Sequence, residues 1–146
     1  MQKAIYLITL SVILIFMAVL AFGQTWHTTN QATIAWDAVT TNFGGDPLPS
    51  GDTVEYKVYL ANAVTDPDKT SPTEVARVAA LENTITLNVE GRFWVGVRAV
   101  RTEQTTETEL ESVIAWSDNP AYVANGETFG LQHFLPPATP GGMRPQ

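Results

Sequence analysis

Only two histidines, His27 and His133, occur among the 146 residues, and there is no cysteine. Both histidines fall outside the segments that read as core strands. A nucleophile–histidine–carboxylate arrangement needs its base held on a rigid scaffold, so the sequence predicts no catalytic residue and no enzyme. Cys/His metal ligation is excluded by number and spacing. No glycine-rich loop follows a strand and opens a helix, so no cofactor is expected. Carboxylates do pair in two loops, Asp46 with Asp52 and Asp66 with Asp68. Hard cations take carboxylates converging from such loops, but these spacings match no calcium loop, and a turn-forming role is preferred. What remains for chemistry is aromatic and cationic. Tyr59 and Trp94 each fall on the polar-facing side of an alternating run, with Lys57 and Arg98 on the same sides.

The elements that position them start at Ile85–Val100. Phe93, Val95, Val97 and Ala99 share one face there, and Trp94, Gly96, Arg98 and Val100 share the other. Such period-two alternation marks half-buried strands. Glu90-Gly91 separates this run from the Ile85/Leu87 run. Gln31–Asp37 alternates with Ala32, Ile34 and Trp36 inward, which predicts Trp36 as a buried residue at mid-strand. Val54–Ala61 alternates with Val54, Tyr56, Val58 and Leu60 inward. Thr73–Ala79 reads as a weaker edge strand, and Ser112–Val123 as a final strand kinked at Pro120, which cannot donate to a ladder. Gln24–Asn30 has room only for a very short strand. Thr40–Thr53 and Asn62–Pro72 are dense in Gly, Pro, Asn and Asp and read as loops, as does Thr102–Glu111. No helical period is present.

The chain opens with Met1-Gln2-Lys3 and then runs uncharged from Ala4 to Phe22. A basic start, an apolar stretch and the small residues of Ala21-Phe22-Gly23 describe a secretory signal peptide cut before Gln24. The same run is close to the length that crosses a bilayer, so a retained membrane anchor over residues 4–22 is the alternative. Either way residues 24 onward are expected in the periplasm, at the cell surface or secreted. The formal net charge of −7 argues against nucleic acid or anionic lipid as partners; a membrane enters only through a retained leader.

Short strands separated by turn signals describe an immunoglobulin-like β-sandwich of about seven strands. The run Ala32-Thr33-Ile34-Ala35-Trp36-Asp37-Ala38 carries a further likeness. So do Tyr56-Lys57-Val58-Tyr59, Leu87 with Gly91, the Phe93–Ala99 alternation, Glu111-Ser112 and Trp116-Ser117. Over residues 31–124 these positions resemble a fibronectin type III domain. Trp36 matches that family's core tryptophan, and Tyr56 with Val58 its Tyr-x-Val pair. Two departures stand out: Phe93 holds the place of the family's corner tyrosine, and the first strand is nearly missing. The resemblance implies that the third and sixth strands are neighbours. Tyr59 and Trp94 would then stack across the ladder with Lys57 and Arg98 beside them. That patch either binds a sugar or protein partner or stabilises its own sheet face, and the second reading is preferred.

The sequence therefore predicts an all-β chain with three parts. Residues 1–23 form the leader, 24–124 the fibronectin type III-like domain, and 125–146 a Pro/Gly-rich tail. A non-enzymatic secreted binding or adhesion module is expected, its protein or carbohydrate ligand unidentified. The alternative is a structural subunit that self-associates through its leader or its C-terminal segment. Phe129, Leu131, Phe134 and Leu135 within residues 127–135 are apolar beyond what a linker needs. This segment is either a disordered tail or a strand added to a bare sheet edge, in its own molecule or a neighbour.

Overall fold

The computed structural model describes residues 24–137; the expected leader lies outside them. The described chain is all-β, with nine strands in two sheets and a single 3-10 turn at Ala124–Gly126. In chain order the strands are β1 (Thr25–Thr28), β2 (Gln31–Ala35), β3 (Thr53–Asn62), β4 (Thr73–Val78), β5 (Glu82–Thr86), β6 (Gly91–Thr102), β7 (Glu109–Glu111), β8 (Ala115–Trp116) and β9 (Phe129–His133). The large sheet runs β1-β9-β6-β3-β4, with β7 and β8 also on β6; the small sheet is β2-β5 alone.

The pair β3–β6 is the spine. Its register carries ten residues, from Thr53↔Thr102 to Asn62↔Phe93, because both runs alternate without a break. Their inner faces hold Val58, Phe93 and Val95, which meet Ile85 and Leu87 from the small-sheet side and Leu131 from β9. One core thus spans both sheets, an arrangement compatible with a β-sandwich. Val58 and Leu131 are almost completely enclosed.

On its other side β6 meets three short pieces in succession: β9 opposite Gly91–Phe93, β8 opposite Gly96–Val97 and β7 opposite Val100–Thr102. Where the pieces break, serines bridge the gaps. Ser117 Oγ accepts the Val95 N–H at 3.0 Å and Ser112 Oγ accepts that of Ala99 at 3.1 Å. The expected single strand over Ser112–Val123 is therefore corrected: only Ala115–Trp116 pairs there, and the chain turns from Asn119 toward Tyr122. Glu109–Glu111, expected as loop, supplies β7.

Two other expectations change. Strand β2 ends at Ala35, so Trp36 stands at its end and is half-buried, its ring 5.5 Å from that of Tyr56. Its backbone still continues the ladder by donating to the Leu81 carbonyl at 2.9 Å. The nearly missing first strand does exist. Strand β1 pairs in parallel with β9, from Thr25↔Phe129 to Thr28↔Gln132. Strand β4 lies at the edge, as the weaker alternation of Thr73–Ala79 suggests.

Candidate binding surfaces

The outer face of β6 brings together part of the aromatic patch and separates the rest. In register Tyr59 stands opposite Gly96, while Trp94 stands opposite Ala61. The expected Tyr59–Trp94 stack is corrected accordingly. Trp94 packs instead on Trp26, ring centroids 4.8 Å apart, a partner that the polar surroundings of β1 concealed in the sequence. Tyr59 is buried rather than displayed. Arg98 lies 5.9 Å from its ring, and burial, then the Glu74 carboxylate, raises its hydroxyl pKa.

Cations and indoles alternate across this face. The Arg92 guanidinium lies 5.2 Å from the Trp26 ring, and Lys69 Nζ lies 5.8 Å from both Trp94 and Trp116. The loop after β3 places Lys69. Asp66 accepts the Thr70 and Ser71 N–H groups at 2.8 and 3.1 Å, and Lys69 itself takes a positive φ of 56°. Burial works to raise the Asp66 pKa, but those donors outweigh it and hold it lowered. Asp118 completes the site at 2.7 Å from Lys69. Lys57 and Arg98 both reach Glu111, at 2.6 and 2.5 Å. Each cation of the expected patch is thus engaged within the chain.

The loop carboxylates also have work inside the fold. Asp52 meets Arg101 at 2.5 Å, and the Gln104 N–H, then Arg101, holds its carboxyl below the ordinary range. Among the described residues no group of three His, Asp or Glu side chains converges as a metal site. His27 lies over Phe129, ring centroids 6.1 Å apart.

An open seam is the second surface. Among the described residues the small sheet has only two strands, which leaves one edge of β2 unpaired there. Leu87 donates to the Asn30 carbonyl and Trp36 to that of Leu81, so the even-numbered residues face β5. By antiparallel alternation the N–H and C=O of Thr33 and Ala35 face away from it. Gln31 on the same side is closed by the Thr29 hydroxyl, 3.0 Å from its N–H. Behind this edge runs a groove walled by Ile34, Phe129 and Leu131. It continues past Trp36 and Val97 to Tyr122. Among the described residues the Trp36 indole N–H, buried in this region, meets no acceptor, an unmatched donor beside the groove.

Of the C-terminal residues, Phe129 and Leu131 belong to β9 and turn inward, whereas Phe134 and Leu135 are exposed beyond it. Leu135 donates its backbone N–H to Glu90. Strand β9 lies between β1 and β6 of its own molecule.

A third surface surrounds Phe43. Its ring is fully exposed at the tip of the loop between β2 and β3, with Val39, Leu110 and Val113 also exposed. Nothing in the sequence distinguishes this phenylalanine from a residue folded over its own loop. Among the described residues no helix is long and apolar enough to cross a membrane. Compared with protein-family models, with curated proteins and with solved structures, the chain matches none.

Proposed function

We propose that the chain is a non-enzymatic extracytoplasmic binding module of fibronectin type III kind, which receives an extended segment of a protein partner along β2. The resemblance is supported by the adjacency of β3 and β6 and by the separate pairing of β2 with β5. The observation that carries the binding reading is the bare β2 edge above an apolar groove. Its outward amides and carbonyls, at Thr33 and Ala35, recur every second residue. Another extended backbone supplies matching donors and acceptors at that repeat, and its alternate side chains enter the groove. The strand QATIA is uncharged, so it lacks the charges and prolines that ordinarily keep an edge from pairing.

A photo-reactive residue in place of Ala35 tests this on cells displaying the protein. A covalent adduct whose partner peptide alternates apolar and polar residues is expected. It should be absent when the probe replaces Thr84, on the far strand of the same sheet, and should weaken when Thr33→Pro removes an edge donor. Equal labelling from both positions, or none from Ala35, overturns the reading.

A further inference from the structure

Gln24 stands one position before β1 and is half-buried. Its side-chain amide nitrogen is buried and, among the described residues, meets no acceptor. A buried donor in that state costs the fold stability, because it has given up water and gained nothing.

The strand that follows has no slack. The Thr25 N–H already donates to the Thr128 carbonyl at 3.1 Å. Trp26 comes next, its ring centroid 4.8 Å from that of Trp94 and 5.2 Å from the Arg92 guanidinium. Strand β1 is also the outermost strand on its side of the large sheet. Chain ends are where proteolysis concentrates. Stepwise loss of Gln24, Thr25 and Trp26 would remove both the first ladder bond and the indole.

Glutamine is a residue that can close such an end with its own atoms. Three carbons separate its α-nitrogen from its amide carbon Cδ, so joining the two makes an unstrained five-membered lactam. Both reacting groups belong to one residue, which gives the step the entropic advantage of an intramolecular reaction. An α-amine, with an ordinary pKa of about 7.7–8.0, keeps a neutral and nucleophilic fraction near neutrality.

We infer that Gln24 is a modification site: freed as an N-terminus, it cyclises to pyroglutamate and blocks the chain. The inference rests on the extracytoplasmic part of the function proposed above, because cleavage before Gln24 is what frees the α-amine. The α-nitrogen attacks Cδ and the N–Cδ bond forms. The Cδ–Nε2 bond breaks, one amine proton passes to Nε2, and ammonia leaves. Nothing is oxidised or reduced. The departing nitrogen is the unmatched buried donor itself, so closure removes the atom that the fold fails to satisfy. The carbonyl of residue 24 takes no part, and the Thr25 bond to Thr128 is left intact. A cut one residue earlier or later would expose Gly23 or Thr25, and neither can form this ring.

Intact-mass measurement on the chain released by cells expressing its full length tests the inference. The expected mass is that of residues 24–146 less one ammonia. Sequential N-terminal degradation should release nothing until pyroglutamyl aminopeptidase exposes Thr25. Gln24→Ser supplies a second readout. With a free amine it should lose Thr25 and Trp26 to a broad-specificity aminopeptidase and then melt at lower temperature, while the parent survives the same incubation. A chain that begins at Gln24 and keeps its ammonia and its free amine through prolonged incubation overturns the inference and leaves the cleavage standing. A parent trimmed as fast as Gln24→Ser overturns it as well. A chain that begins at another residue, or keeps residues 1–23, overturns it by denying the cleavage instead.

Discussion

Trp26 of β1 lies against Gly130 of β9, so close that a Cβ on the glycine would come within 2.5 Å of the indole. The same relationship recurs at Gly96, where a Cβ would meet Trp116 at 2.8 Å and Ile114 at 2.6 Å. In both cases the glycine is the tryptophan's register partner. The missing side chain is the space in which the ring lies. Gly130→Ala and Gly96→Ala should each cost about 1–3 kcal/mol through overpacking. Thermal melts of the two variants check this, and a melting temperature within error of the parent would refute the packing described.

Ser117 is the buried polar hub of the broken edge. Its hydroxyl accepts from Val95, its N–H donates to the Val95 carbonyl at 2.8 Å, and its carbonyl accepts from Phe129 at 3.0 Å. Ser117→Ala leaves a buried amide unmatched and should cost about 1–3 kcal/mol. Ser112→Ala removes the analogous bond at an exposed site, where water substitutes, so it should cost much less. Denaturant titration of the pair reads the difference directly.

Truncation after Gly126 removes β9, and with it the enclosed side chain of Leu131 and the one partner that β1 has among the described residues. The shortened chain should fail to fold cooperatively. A milder probe, Leu131→Ala, should cost about 2–5 kcal/mol while leaving the mass in solution unchanged. A fully stable truncated chain would mean that the segment contributes nothing to the fold.

Acid should loosen the charged outer face. Donation from Lys57, then from Arg98, lowers the Glu111 pKa; Arg77 does the same for Glu109, and the Gln104 N–H for Asp52. A carboxylate whose folded pKa is depressed contributes its stabilisation above the unfolded value and loses it as pH falls through the folded one. The melting temperature should therefore be flat near neutrality and decline below about pH 4. Because the Glu109 and Glu111 side chains are partly exposed, their share of the decline should be modest and salt should reduce it, whereas the nearly enclosed Asp52 carboxylate is screened less. Lys57, raised first by Glu111, works in the opposite sense, and its share is lost only as alkaline pH passes its folded value. Glu111→Gln should flatten the acid limb, and an unchanged limb would count against the assignment.

The strands that read clearly in the sequence are those whose two faces differ. Through the middle of β3 and β6 the inner positions, Val54 to Leu60 and Phe93 to Ala99, are apolar, so alternation alone places Val58, Phe93 and Val95. Trp36 was legible as inward-facing but not as terminal, because the end of β2 is set by where Leu81 stops pairing. The alternation of Phe129, Leu131 and His133 shows that β9 can be a strand, but not which edge it joins. Its position depends on β1, more than a hundred residues away. The Tyr59–Trp94 pairing failed for a related reason. Alternation gives the face of a residue, but the choice between Ala61 and Tyr59 as neighbour of Trp94 is a matter of register, and Trp26 arrives from a strand with no apolar pattern. The β2 seam is a gap between elements, which no local pattern encodes.

The parallel pairing of β1 with β9 also has a mechanical meaning. The first and last described strands lie side by side, so tension drawing the chain apart through residues 24 and 137 pulls them past each other lengthwise. Their hydrogen bonds then share the load and must yield together, unlike a hairpin, which opens one bond at a time. Thr25 donates to the Thr128 carbonyl just before β9 at 3.1 Å and Thr29 to that of Gln132 at 3.0 Å, and the period-two ladder places the His27 N–H on the same side. Stretched in a single-molecule instrument, the domain should resist up to one abrupt rupture, and His27→Pro, which removes the middle donor, should lower that force. The bonds that close this fold are thus also its clasp.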